Sequence, residues 1–248
     1  MKFNINSFYE EGISIFDNES PRDWDLFKNN FEKILGTSDF ENIHQKAIIS
    51  NINNIRLNVF ESINSIDSWE THFISMAKNV INQIIGCDVA IQRRLNLNIQ
   101  LPNDFSSKLD MHADLFSGES PFEVVIWVPL TRAYKSNGMY YFDRETSKKI
   151  YSELVSTEHL GIESLRKKYW NQRKELDVDS GKVVIFSSTV FHGNVPNVTN
   201  STRISMNCRL KNLFHPEGSR DLGFFHKMHS LGPLAKIGIE FCENEFKF

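Results

Sequence analysis

The tripeptide His112-Ala113-Asp114 places an imidazole and a carboxylate two residues apart. On an extended backbone such residues leave the same face, so both can reach one metal ion. A second histidine would complete a set of two histidines and one carboxylate. That set leaves coordination positions open and suits non-haem Fe(II) oxygen chemistry. His192 is the candidate: it follows the apolar run Val183-Val184-Ile185-Phe186 and a short turn, and it precedes Gly193. Arg203 lies eleven residues further on, where alternation puts Arg203, Ser205, Asn207 and Arg209 on one face of a strand. An arginine beside a metal site can grip a dicarboxylate with both arms of its fork, with the Ser205 hydroxyl as a second donor.

Each piece alone has a plainer reading. HxD pairs are common on protein surfaces, and His192 could be a strand-end histidine with a satisfied hydrogen bond. Of the eight histidines, His44, His72 and His159 have no partner at ligand spacing, while His226 and His229 form an isolated HxxH. The joint pattern points to chemistry: HxD, a buried strand ending in His-Gly, then RxS. Arg209, Arg132, Lys135, Tyr140 and Tyr141 could serve an anionic or sugar-like ligand, or simply face water.

A sheet is needed to bring these residues together, and the apolar period switches from helical to alternating near residue 87. Over 94–101, Leu95, Leu97, Ile99 and Leu101 alternate with Asn96, Asn98 and Gln100. That amide face suits water and a polar cavity equally. Further strands are predicted over 122–130, 138–142, 182–187 and 203–213, with Trp127 read as core. Before the switch, Ser20-Pro21 with Asp23 reads as a helix start of capping-box type. Trp24, Phe27, Phe31, Ile34 and Leu35 then line one face up to Gly36. A second helix is expected over roughly 41–63 and a third from 68 to 86. The stretch 144–179, with helical segments at 148–154 and 162–170, is expected to close over the site as a lid. The fold class is α+β with a mainly β core: a single domain with helical residues 1–86, an antiparallel β-sandwich or barrel over 87–214 carrying one helical insertion, and a tail over 215–248.

With 248 residues, a net charge of −3, 40% hydrophobic and 24% charged residues, the composition is that of a soluble globular protein. Basic residues are neither in excess nor in runs, so neither nucleic acid nor an anionic membrane is an expected partner. Three widely spaced cysteines form no disulfide framework, the opening MKFNINSFYEEG is not a signal peptide, and no apolar stretch approaches membrane length. A cytoplasmic setting and a small-molecule substrate are expected, and nothing in the sequence sets an oligomeric state.

The ordered pieces, His112-Ala113-Asp114, Trp127-Val128-Pro129-Leu130, Asn137-Gly138, Gly181 before an apolar strand, His192-Gly193 with Asn194 and Asn197, and Arg203 with Ser205, resemble a known family. They are similar to the Fe(II)/2-oxoglutarate-dependent oxygenases, and among these to the phytanoyl-CoA dioxygenase-like group. The resemblance implies a double-stranded β-helix of jelly-roll, cupin-like type. It implies Fe(II) held by His112, Asp114 and His192, 2-oxoglutarate as cosubstrate with O2, and Arg203 on its distal carboxylate. Asn98 and Gln100 resemble the strand before HxD whose side chains face the cosubstrate. The activity implied is hydroxylation of an unactivated C–H bond of a small molecule, with release of succinate and CO2. Asp114 fits hydroxylation, desaturation or epimerisation, since related halogenases carry a small residue in its place.

Two features depart from the family. A Pro-Gly-Ser-His stretch often follows Asn-Gly, but here Met139-Tyr140-Tyr141-Phe142-Asp143 does, and the serine falls two residues after the arginine. The chain is also similar to bacterial oxygenases of antibiotic and surface-carbohydrate gene clusters, which suggests a carbohydrate or biosynthetic intermediate as substrate. A cupin-like metal-dependent isomerase or hydrolase, and a non-catalytic carbohydrate-binding relative, remain alternative readings.

Overall fold

The computed structural model describes residues 1–46, 51–156 and 161–245. Residues 47–50 of the second predicted helix, His159 in the insertion and the end of the tail lie outside the described residues. The elements are α1 (Ile5–Glu11), β1 (Ile13–Phe16), α2 (Pro21–Leu35), α3 (Ile52–Asn64), α4 (Trp69–Ser75), α5 (Lys78–Ile84), β2 (Val89–Gln92), β3 (Asn96–Gln100), β4 (Glu123–Pro129), β5 (Tyr140–Tyr141), α6 (Arg144–Ser156), α7 (Ile162–Tyr169), β6 (Lys174–Glu175), β7 (Val183–Ser187), β8 (His192–Gly193), β9 (Arg203–Asn212), β10 (His226–Ser230) and α8 (Pro233–Glu245).

Among the described residues, a seven-stranded antiparallel sheet runs β1-β7-β4-β9-β2-β10. β9 is long enough to pair with β4 along one edge and with β3 and then β2 along the other. A three-stranded sheet, β6-β5-β8, faces it. Two antiparallel sheets wrapped in this way, with helices packed on the outer side of each, match the jelly-roll expectation. The strand alternation divides the two faces. Ile204, Met206, Cys208 and Leu210 of β9 join Val124, Ile126 and Val128 of β4 in a core with Phe27 and Phe31 of α2, Val59 and Ile63 of α3, and Phe73 of α4. Arg203, Ser205, Asn207 and Arg209 face the interior between the sheets.

The helices are shorter than the periodicity predicts. Over 41–63 the structure has a 3-10 turn, Phe40–Gln45, and then α3. Over 68–86 the face Trp69, Phe73, Met76, Ala77, Val80, Ile81 is buried as expected. The backbone, however, breaks between α4 and α5, because the Met76 carbonyl accepts from Glu19 N and the Glu19 carboxylate accepts from Asn79 N at 2.7 Å. A chain segment distant in sequence thus caps both new ends. The capping box at Ser20 is not formed either: the Ser20 hydroxyl donates to the Asp23 carboxylate, which also accepts from His72 Nδ1 at 2.7 Å and from Ser75 Oγ. Asp23 therefore ties α2 to α4. β1 and β10, which lie in the predicted helical part and in the weakly patterned tail, complete the edges of the large sheet.

The insertion is not placed as a lid. α6 and α7 bury Ile150, Leu165 and Tyr169 against Met111, Ala113, Phe142 and Phe191, on the outer side of the small sheet. None of the described residues of 144–179 lines the cavity between the sheets. The insertion is a buttress behind the segments that carry the candidate ligands.

Candidate metal centre

His112 and His192, 80 positions apart, are backbone partners: each N–H donates to the other's carbonyl, at 3.0 and 2.8 Å. In such a closely bonded antiparallel pair both side chains leave the same face, and the ring centroids lie 4.4 Å apart. Ala113 is extended (φ −116°, ψ 141°), so Asp114 joins that face before a 3-10 turn, Asp114–Ser117, closes at Gly118 with φ +98°. The ligand atoms of His112, Asp114 and His192 lie within 4.8 Å of one another. Among the described residues, this is the one cluster of its kind. Three donors about 2.0–2.2 Å from one ion would stand about 3–4 Å apart; His112 Nε2 and Asp114 Oδ1 are at 3.8 Å.

The donor chemistry suits a divalent first-row metal. Each imidazole points its Nδ1 at the carbonyl two residues earlier, His112 to Asp110 at 2.8 Å and His192 to Val190 at 2.9 Å. An Nδ1–H donated there leaves the Nε2 lone pair free for a metal. Burial, with His112 beside it, pushes His192 from its usual 6.5 down to about 4, so the ring is neutral near pH 7. Burial alone would raise the Asp114 carboxyl, but His192, Arg209 and His112 hold it below its ordinary value. A consequence follows for the metal-free protein. Between about 4 and 6.5 the unfolded chain binds a proton at His192 that the folded chain refuses, so stability rises with pH across that window. The urea midpoint of apoprotein should fall between pH 7 and pH 5, and His192→Asn should flatten that slope.

A cavity of about 90 Å³ adjoins the three ligands and is lined also by Asn98, Trp127, Asn194, Arg203, Asn207 and Arg209. Arg203 is 3% exposed, and among the described residues its only side-chain hydrogen bond runs from Nη2 to Asn98 Oδ1 at 2.8 Å, leaving Nε without a partner there. Burial alone lowers its pKa to about 10, which keeps it a cation at neutral pH. Beside it, in register on β3 and β9, the Ser205 hydroxyl and Gln100 Oε1 are buried without partners among the described residues. Gln100 donates Nε2 to Val195 O at 2.8 Å, and neither it nor Ser205 lines the cavity. A buried cation with open donors is costly unless an anion meets it, and a carboxylate entering the cavity would.

The other residues weighed from sequence fall elsewhere. Arg132 is exposed and forms a bidentate pair with Asp177 at 3.0 Å. Neither Tyr140 nor Tyr141 lines the cavity, and His226 pairs with buried Glu123 at 3.4 Å. Trp127 is both core and cavity wall. Arg209, read as a possible anion contact, is held by Asp114 and Glu119. Glu119 and Phe186, whose ring packs edge-on to His192 at 4.9 Å, were not legible in the sequence. Asn194, which accepts from Leu109 N and donates to Ser107 O at 3.1 Å, anchors the loop before His112. Gly193 is required by close approach: a Cβ there would lie 2.9 Å from Leu109 O and 2.7 Å from the Tyr140 hydroxyl. Gly193→Ala should force β8 and the 107–111 loop apart and weaken divalent-metal binding, read by isothermal titration.

A model of the phytanoyl-CoA dioxygenase (PhyH) family matches residues 20–205. A streptomycin biosynthesis protein, StrG of Streptomyces griseus, is 24% identical over 153 residues, 59% of this chain and 61% of StrG. This chain thus matches about three fifths of that relative's length. Among solved structures, a nickel complex of the non-haem monooxygenase ThoJ superposes with a TM-score of 0.59 at 14% identity, over 93% of this chain and 84% of ThoJ. HygX of Streptomyces hygroscopicus, with nickel and 2-oxoglutarate bound, superposes with a TM-score of 0.52 at 12% identity, over 86% and 87% of the two chains. At such identities the superpositions speak for the fold, whereas the family match spans most of the chain and contains all three ligand candidates and Arg203. The chain belongs to the phytanoyl-CoA dioxygenase (PhyH) family.

Proposed function

We propose that this protein hydroxylates an unactivated C–H bond of a small molecule, with Fe(II) held by His112, Asp114 and His192 and 2-oxoglutarate held by Arg203. One observation carries the reading: Arg203, a buried cation without an acidic partner among the described residues, lines the same cavity as a convergent His-Asp-His set. When bound, Fe(II) with 2-oxoglutarate and O2 supplies the oxidation, in which the oxo acid becomes succinate and CO2 and one oxygen atom enters the substrate as an alcohol. The chain's own residues do the rest. The backbone-fixed imidazoles of His112 and His192, with Asp114, would hold the metal beside the cavity. Arg203, oriented by Asn98, meets the distal carboxylate, with Ser205 and Gln100 supplying polar surroundings beside it. Trp127, Val125 and Phe186 exclude water from the metal side of the cavity.

For the substrate, Asn98 and Asn207 give the cavity amide groups that suit a hydroxyl-rich molecule such as a carbohydrate or a biosynthetic intermediate. The support from relatives is that StrG is named for streptomycin biosynthesis and that HygX has been solved with hygromycin B bound. A cytoplasmic setting agrees with three free cysteines and with the absence, among the described residues, of any helix long and apolar enough to cross a membrane. An isomerase or hydrolase using the same triad would have no role for Arg203. The test is to incubate purified protein with Fe(II), ascorbate and 2-oxoglutarate under air, alone and with hydroxyl-rich candidates, and measure succinate. Metal-dependent succinate that rises with one candidate supports the reading; binding of Fe(II) with no 2-oxoglutarate consumption overturns it.

A further inference from the structure

We propose that Arg209 is a positioning residue for Asp114, holding that carboxylate in place beside His112 and His192. The inference rests on the triad reading above. Arg203 and Arg209 lie on one face of β9 and both line the cavity, yet their surroundings are opposite. Arg203 has no acidic partner among the described residues. Arg209 Nη2 donates to Asp114 Oδ1 at 2.8 Å, its Nε is 3.0 Å from Glu119 Oε1, and its Nη1 donates to Gln92 Oε1 at 3.3 Å. The side chains of Asp114 and Glu119 are each 2% exposed, so this is a dry network rather than a surface pair.

Asp114 and Glu119 stand at the two ends of the turn formed by Asp114–Ser117 and Gly118. One guanidinium therefore pins both ends of the turn that carries the carboxylate, and Gln92 on β2 fixes the guanidinium in place. Arg209 is the only side chain donating a hydrogen bond to Asp114 among the described residues. Oδ1 is also the oxygen 3.8 Å from His112 Nε2, so with a planar donor on it the carboxylate cannot swing away from the two imidazoles. The network also accounts for Glu119, a buried acid beside the site that touches neither the metal ligands' imidazoles nor the cavity. Groups that hold a metal ligand from behind typically set its affinity by about 10–100-fold.

The test uses Co(II), whose visible ligand-field absorption reports coordination number and geometry independently of turnover. Metal-free full-length wild type, Arg209→Met, Arg209→Lys, Glu119→Gln and His192→Ala are titrated anaerobically, with circular dichroism confirming the fold. Arg209→Met is expected to bind Co(II) about 10–100-fold more weakly, with a changed absorption band, while the Co(II)-saturated variant keeps its affinity for 2-oxoglutarate. Arg209→Lys, which keeps a cation but loses the fork, should recover part of the affinity, and Glu119→Gln should fall between it and wild type. If Arg209→Met does not fold, Arg209→Lys and Glu119→Gln decide. Wild-type affinity and band shape in the folded Arg209 variants overturn the proposal. Failure of the triad reading looks different: wild type takes up no Co(II), or His192→Ala binds it equally well.

Discussion

Asp114→Ala should leave a folded protein that no longer retains a divalent metal and forms no succinate above background. Removing a group that merely supports a ligand costs about 10–100-fold in metal affinity, so loss of a ligand should cost at least that. The side chain is small, and its removal leaves Arg209 paired with Glu119 rather than stranded, so the thermal midpoint of the metal-free variant should stay close to wild type. Isothermal titration with Fe(II) or Co(II) and a melting curve read the two quantities separately. Normal metal binding by Asp114→Ala would show that the carboxylate is not a ligand, and a collapse in melting temperature would assign it to the fold instead.

Arg203→Met is expected to separate binding from stability. The guanidinium is buried without an acid, and Met replaces it with a neutral side chain of similar length. Truncating one partner of a buried charge pair typically costs about 2–5 kcal/mol, so 2-oxoglutarate affinity should fall by roughly 30- to 5,000-fold. Metal affinity should be unchanged, since Arg203 touches none of the three ligands. The metal-free variant should be as stable as wild type or more so, because exchanging an unpaired buried cation for an apolar side chain removes a desolvation cost. Titration of 2-oxoglutarate into Co(II)-loaded protein, with apoprotein melting alongside, checks both halves. Equal loss of metal and cosubstrate would mean that Arg203 shapes the site rather than contacting the cosubstrate.

Five of the ten described strands, β3, β4, β5, β7 and β9, were legible because they rest on a local signal, whereas the jelly-roll expectation came from the family resemblance. Period-two alternation in Arg203-Ile204-Ser205-Met206-Asn207-Cys208-Arg209 is enough to decide which side chains share a face, and the structure keeps that division. The i, i+3, i+7 spacing of Trp24, Phe27 and Phe31 likewise predicts α2 nearly to its ends. Helix continuity was not legible from 68 to 86. The buried face is the one predicted, but the break between α4 and α5 is made by Glu19, whose arrival periodicity within the stretch cannot report.

The same division runs through the site. Residue type and short spacing by themselves determined that His112 and Asp114 point one way and that Arg203 and Arg209 share the inner face of one strand. Which distant residues meet was decided only by the tertiary structure. The His112–His192 backbone pair joins positions 80 apart, and the insertion expected to cap the cavity packs behind the small sheet. The two arginines are separated in the same way. Glu119 and Asp114 reach Arg209 because the turn between them folds back onto β9, and among the described residues no acid reaches Arg203. The side-chain types and strand alternation are the same for both. What makes one a structural ion pair and the other an open anion site is burial together with the presence or absence of a partner, and both are properties of the packed chain.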